Sequence, residues 1–433
     1  MKKQILFITA ILFFSAIAAY SQGENKPILD IHGFVKTDII YDTRQTSSLR
    51  EGHFHILPLD QSFDAEGNDI NANPSFNILS IQTRLNGKIT GPEISGIKSS
   101  GFIEGEFFGT SDGDVNGFRL RHAYVDLNWT NTQLRVGQFW HPLFITDCFP
   151  DVVNFNTGAP FQPFSRNPQI RLTHKIGSIS LLAAAISQRD FQSNGPVWDA
   201  NKQIYTSFAS SVYLRNAVIP EMLFQARYND DNFIFGASGS YKILRPQLTT
   251  NKNNSNGKPY ANENTIGSYT AEAFMKYQSN PIKIKLECIY GQNLANLTML
   301  GGYGAKSYND STGVMEYSNS NILSAWADFN YQVSENVSLN IFGGYSKNLG
   351  FEDNLVKVGS NFAVFSRAPE ADNIIRISPY IRWNIGMVQI AAELEYTSVA
   401  YSTGAPDYAE KGKISETHNI SNIRTLLAVY MNF

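Results

Sequence analysis

The sequence predicts an all-β chain: a transmembrane antiparallel β-barrel of about sixteen strands with an infolded constriction loop, preceded by a cleaved signal peptide. Three observations carry this. Side chains alternate with a period of two in stretch after stretch, up to the last residue. The chain opens on an export leader and later has no apolar run long enough to cross a membrane as a helix. Charge is scarce at 17% while aromatics reach 13%, a balance that suits a sheet with lipid on one face and water on the other.

The leader occupies residues 1–21. Met1-Lys2-Lys3 is a basic start, 5–19 is apolar, and Ala19-Tyr20-Ser21 supplies small residues for cleavage. No Cys stands at that site, which disfavours a lipid anchor. Residues 22–433 are then one barrel domain, expected in the outer membrane, since an exported chain without a spanning helix can cross only as a closed sheet. A formal net charge of −3 gives no field to draw nucleic acid. Cys148 and Cys288 lie far apart in sequence; an oxidising compartment leaves a disulfide between them open, though nothing indicates one, and two free thiols are the simpler expectation.

The strands come in hairpin-like pairs. Residues 29–43 open the series, and 76–90 and 98–110 follow. Segments 117–130 and 132–140 meet at Asn131, and 168–176 and 178–189 at Gly177. Segments 220–229 and 232–245 meet at Asp230-Asp231, and 265–279 and 282–294 across Pro281. Segments 320–333 and 336–347 meet at Ser334-Glu335, and 372–385 and 387–402 at Gly386. The last, 418–433, places Phe433, Met431, Val429, Leu427 and Thr425 on one face and Asn432, Tyr430, Ala428, Leu426 and Arg424 on the other. Between pairs lie long polar connections at 44–75, 141–167, 190–219, 246–264, 295–319, 348–371 and 403–417. Short joints on one rim and long loops on the other are the pattern of a bacterial barrel. The Asn-rich tract 251–257 reads as a loop tip, and 205–214 fits either a loop strand or a short helix.

The alternation assigns faces. Leu79, Ile81, Leu85 and Ile89 share the outer parity against Gln82, Arg84, Asn86 and Lys88. Ile170, Leu172 and Ile176 oppose Gln169, Arg171, Thr173 and Lys175. Ile375, Ile377, Ile381 and Trp383 oppose Arg376, Ser378, Tyr380 and Arg382. Arg135 and Arg227 also fall inward. A guanidinium facing mid-bilayer lipid costs roughly 2–4 kcal/mol, which drives these residues to the lumen. Arg119 and Arg121 share a parity with Val125, Leu127 and Trp129, so that strand needs a bulge or a phase change near His122–Ala123. Two readings of the arginines stand side by side: a lumen that favours anions, or wall bracing through Glu104, Glu106, Asp38 and Asp126.

Four blocks carry a family resemblance. They are Phe102-Ile-Glu104-Gly-Glu106-Phe-Phe-Gly109, Phe118-Arg-Leu-Arg121-His-Ala-Tyr124, Leu134-Arg-Val-Gly-Gln138-Phe-Trp140 and Phe164-Ser-Arg166-Asn-Pro-Gln-Ile-Arg171-Leu-Thr. Their order over 80–177 resembles the DcaP-like porins. The resemblance implies a sixteen-stranded, homotrimeric outer-membrane porin for small anions, dicarboxylates especially, with inward arginines at Arg84, Arg119, Arg121, Arg135, Arg166 and Arg171. Arg227, Arg376 and Arg382 join them on parity alone. The coiled-coil extension of some members is missing before Leu29. Segment 141–167, with Pro142, Pro150, Pro160, Pro163 and several Phe, is the expected constriction loop.

The expected function is a passive channel for small anionic solutes, with no chemistry, cofactor, metal or nucleic acid; its surroundings are outer-membrane lipid. A phosphate- or polyphosphate-selective porin and a non-conducting barrel, enzyme or adhesin, are the alternatives. His53-Phe-His55 is set aside as a polar loop pair lacking a third ligand, and Asp112-Gly-Asp114 as turn chemistry.

Overall fold

A computed structural model describes residues 27–433. The expected leader, 1–21, lies outside them. Sixteen antiparallel strands close into a barrel. They are β1 (Ile28–Asp42), β2 (Arg84–Ile94), β3 (Ile97–Phe107), β4 (Phe118–Asn128), β5 (Thr132–Trp140), β6 (Arg166–Ile176), β7 (Ile179–Ile186) and β8 (Glu221–Asn229), followed by β9 (Phe233–Leu244), β10 (Ile266–Ser279), β11 (Ile282–Gln292), β12 (Met315–Gln332), β13 (Val337–Phe351), β14 (Ala371–Ile385), β15 (Val388–Ser402) and β16 (Thr417–Asn432). Strands β1 and β16 join in register from Phe34↔Asn432 to Asp42↔Arg424. That seam is locked on the inside by Arg424, which grips both Asp42 oxygens at 2.9 and 2.7 Å.

The face assignment holds along most strands. Ile170, Leu172, Ile377, Ile381, Val429 and Met431 are exposed on the outside, while Arg376, Ser378, Leu426 and Ala428 are buried within. Exposed aromatics form two belts. Trp129, Phe233, Tyr331, Trp383 and Phe433 ring the short-turn end; Tyr41, Phe76, Phe107, Phe118 and Tyr241 ring the long-loop end. The tight turns at Gly177 and Gly386 have φ of +59° and +60°, which glycine adopts at no steric cost. The expected bulge is present: Glu104 faces His122 but Gly105 faces Leu120, so Arg121 is the extra residue, and Arg119 and Arg121 point inward.

One face assignment is corrected. Leu79 and Ile81 are buried inside, packed with Phe54, Phe108 and Phe144, and Phe76 and Ile78 take the outer face. The strand breaks before β2. The short strand Ser75–Leu79 pairs with β1 at Asp38↔Leu79, and β2 resumes at Phe34↔Arg84. Five residues then span four on the partner, and one extra residue inverts every side chain beyond it.

The long-loop end is ordered. Hairpins Asn194–Asp199/Ile204–Ala209 and Thr249–Asn253/Pro259–Ala261 rise there, and Val212–Asn216 is a short helix. The undecided stretch 205–214 thus contains strand and the start of a helix. β12 pairs beyond the wall with Gly301–Tyr308, and that strand pairs in turn with Val364–Arg367. Tyr205, Tyr213, Tyr303, Tyr317 and Phe365 form a second core in this cap. No helix among the described residues is long and apolar enough to cross a membrane, and the strands make the crossing.

Candidate functional site

The barrel interior is occupied by chain. Segment 141–165 runs inward between β5 and β6, burying Leu143, Ile145, Cys148, Val153, Phe161 and Phe164. The wall holds it by its backbone. Glu393 on β15 accepts the N–H groups of Val153 and Asn154 at 2.6 and 2.8 Å. Lys285 on β11 donates to Phe149 O, and Lys36 on β1 donates to Val153 O. Lys285 also pairs with Asp151 at 2.6 Å; burial works against the Asp151 charge, but Lys285 and Lys283 outweigh it and hold the carboxyl below its usual range.

Two further elements fold inward where the sequence suggested only polar loop. Leu294–Leu297 forms a buried turn with Met299 and Leu300. The hairpin Thr46–Leu49/Phe54–Pro58 enters from the first long connection, with Phe54 and His55 fully buried. His53 and His55 are therefore not a polar surface pair. His53 Nε2 bonds Asp38 at 2.7 Å and His55 Nδ1 bonds Glu395 at 2.5 Å. Asp38 binds Lys36 and His53, not an arginine as expected. No group of three metal-ligating side chains exists among the described residues.

The nine singled-out arginines all point into the barrel, but they sort into two kinds. Glu106, wholly buried, is the hub of the first: Arg84 at 3.1 Å, Arg119 at 3.0 Å, Arg121 at 2.6 Å and Arg166 at 3.6 Å. Glu104 adds a bond to Arg121 at 2.7 Å, and Asp190 binds Arg119 and Arg166 at 2.9 and 2.7 Å. Burial pushes the Asp190 carboxyl up, but Arg166 and Arg119 outweigh it and hold the group below its ordinary value. Arg50, from the infolded hairpin, approaches the same cluster and is lowered to about 10 by burial and then by Arg119. Arg135 is clamped by Asp126 at 2.8 and 2.7 Å, Arg227 by Asp147 at 2.6 Å, and Arg376 by Glu395 at 3.3 Å.

Arg171 and Arg382 have no carboxylate partner among the described residues. Arg382 donates to the carbonyls of Asp151 and Val152 and to Gln389. Arg171 donates to Gln169 and to Trp140 O, and its guanidinium lies 5.2 Å from the Phe139 ring centre. It borders a cavity of about 460 Å³ at the short-turn end, with Arg135, Lys175, Arg227, Gln133 and Thr173. The cavity's charged groups are four cations and Asp147. Asp126 neutralises Arg135 and Asp147 neutralises Arg227, so the uncompensated charge is that of Arg171 and Lys175. A second cavity of about 590 Å³ lies at the same end, lined by amides such as Gln278, Asn280, Asn330 and Asn340 and by Arg382, Lys283 and Asp151.

Exposure varies from residue to residue on both sides. Arg84, Arg119 and Arg135 keep 19%, 12% and 13% of their side-chain surface open but Arg121 and Arg166 only 3% and 1%, and across the barrel Lys283 and Lys347 keep 30% and 33% while Ser324 and Asp328 are at 0%. Segment 141–165 touches both sides of the barrel: Pro142 O and Asp147 meet Gln225 and Arg227 on β8, while Asp151, Val153 and Asn154 meet Lys285 on β11 and Glu393 on β15. The expected strand partners Glu104, Glu106 and Asp126 do pair with arginines; Asp190 and Asp147, which were not singled out, reach Arg166 and Arg227 from loops. Cys148 and Cys288 are unpaired, the first buried against the wall and the second on the outer face.

No family model and no curated protein matches the chain by sequence. Solved structures do match by shape. The outer membrane channel DcaP of Acinetobacter baumannii superposes with a TM-score of 0.64 at 13% identity, over 95% of this chain and 99% of that one. OmpT, an outer membrane protein of Vibrio cholerae in its trimer form, superposes at 0.54 with 8% identity, over 94% and 100%. The resemblance to the DcaP-like porins thus holds at the level of the fold, and the chain has the architecture of an outer-membrane porin: a closed sixteen-stranded barrel with lipid-facing aromatic belts.

Proposed function

We propose that the chain is a passive outer-membrane diffusion channel, homotrimeric and biased toward small anionic solutes such as dicarboxylates, with residues 22–433 as the porin domain behind a cleaved leader at 1–21. It performs no chemistry. The path runs from the basic cavity along the arginine-bearing wall, and segment 141–167 is its constriction.

The observation that carries this reading is the uncompensated pair Arg171 and Lys175 at the 460 Å³ cavity. Cations in a narrow aqueous site lower the barrier for anions, and a site that stays open to water binds them weakly enough for release. The trimer form of the Vibrio cholerae neighbour supports the proposed assembly. The test is a planar-bilayer recording in a salt gradient with chloride, phosphate and succinate. Anion-selective current supports the proposal, and cation-selective current refutes it.

A second reading keeps the channel and makes the arginines braces. It is favoured by the seven arginines of nine that have carboxylate partners: Arg84, Arg119, Arg121, Arg135, Arg166, Arg227 and Arg376. Selectivity that survives neutralisation of Arg171 and Lys175 would establish it.

A further inference from the structure

The two main infolded elements are tied to the wall in different ways. Glu393 takes its hydrogen bonds from the backbone of segment 141–165 and has no cation in ion-pair contact among the described residues. The segment also carries Asp147 and Asp151, the ion-pair partners of Arg227, Lys283 and Lys285 on the wall, so withdrawing it would leave those cations without partners, and it is a fixed part of the wall.

The hairpin Thr46–Leu49/Phe54–Pro58 is held by a receptor that does not depend on it. Arg424 donates to Gly52 O at 2.7 Å, Arg376 to Ile56 O at 3.0 Å, and the Tyr401 hydroxyl to Pro58 O at 2.7 Å. Asp38 and Glu395 bind His53 and His55. Each charged member also has a partner on the wall itself: Arg424 with Asp42, Arg376 with Glu395, and Asp38 with Lys36. Removal of the hairpin therefore leaves no charge unpaired. The polar groups it releases would face a wet lumen.

Its tip is packed inside the barrel against aromatic side chains. Phe54 lies among Phe155, Phe164 and Phe191 at ring-centre distances of 5.5, 5.1 and 5.8 Å. Phe108 joins this cluster through Phe155 at 4.2 Å and is also covered by the Arg119 guanidinium. The aromatic group thus sits against the arginine row, where an apolar constriction excludes water and ions.

We propose that this hairpin is an autoinhibitory plug, and that full conduction requires its withdrawal from the lumen. The inference rests on the channel reading above. Two proteins test it in planar bilayers: one with residues 47–57 replaced by a short Gly-Ser linker, and the double variant His53→Ala/His55→Ala, which keeps the chain length. Folding is checked by the heat-dependent gel shift of a closed barrel, and shortening the exposed tip 251–258 is the control. The proposal expects single-channel conductance to rise at least roughly threefold in the excised protein, the open fraction to rise in the double variant, and the control to match the parent. Folded variants that conduct like the parent overturn the plug and leave the channel standing, as does a control that rises equally. Folded variants that carry no current in any form overturn the channel reading as well.

Discussion

Replacing Arg171 and Lys175 together by glutamine should abolish most of the anion preference. The two residues hold the uncompensated charge of the 460 Å³ cavity, since Arg135 and Arg227 have Asp126 and Asp147. A unit charge about 7 Å from a passing ion in an aqueous site contributes about 0.6 kcal/mol, and 0.1 M salt roughly halves it. Two such charges give about 0.6 kcal/mol, favourable for an anion and unfavourable for a cation, so the preference ratio is about eightfold. In a tenfold KCl gradient that ratio places the reversal potential about 40 mV from zero, and the double variant should bring it close to zero. The assay is a current–voltage curve on single channels, with the gel shift confirming a closed barrel. A reversal potential that moves by less than about 10 mV would refute the argument, because ions would then not pass within a screening length of these groups.

Other consequences can be checked independently. Glu106→Gln leaves four guanidinium groups around a neutral amide and should lower barrel stability by about 3–5 kcal/mol, read from urea unfolding in micelles; a loss below about 1 kcal/mol would contradict the hub. In liposomes a lipid-soluble maleimide should label Cys288 on the outer face, while Cys148, whose thiol burial pushes up to about 12, stays unmodified until unfolding. Burial lowers His53 and His55 below their ordinary values, so the seated hairpin takes up protons less readily than a withdrawn one. Their contribution to seating is complete above about pH 6.5 and fades as pH falls below it, so the open fraction should rise at pH 5 compared with pH 7.5. An identical acid response in His53→Ala/His55→Ala would exclude them as its source.

The wall was legible in the sequence because a strand declares itself locally. The period of two recovered all sixteen spans, and the charged parity of Arg119 and Arg121 exposed a bulge that the register bears out. The errors arose where identity depends on remote partners. Leu79 and Ile81 look lipid-facing until the break before Arg84 is known, and nothing near residue 80 marks it except Ser80 and Thr83, which hydrogen-bond each other. The hairpin at 46–58 reads as polar loop because its receptors, Arg376, Glu395, Tyr401 and Arg424, stand more than 300 residues away. β12 and β13 run past their expected ends, to Met315 and Phe351, because a cap with its own core extends them above the wall. Of the site, the inward direction of the arginines was readable. Bracing of the arginines by Glu104, Glu106 and Asp126 was readable too; the loop partners Asp190 and Asp147 were not, since no strand pattern fixes where a loop carboxylate arrives.

The seam between β1 and β16 joins residues 28–42 to residues 417–432. Nearly the whole polypeptide must be in place before those edges can meet, so every earlier intermediate carries two unsatisfied rows of amide and carbonyl groups alongside a sticky apolar flank. Such a species would pair with any neighbour in an aqueous compartment. The architecture therefore obliges the cell to escort the unfolded polymer during transit and to zip the cylinder shut only at the bilayer, where the Asp42–Arg424 clasp acts as the final fastener.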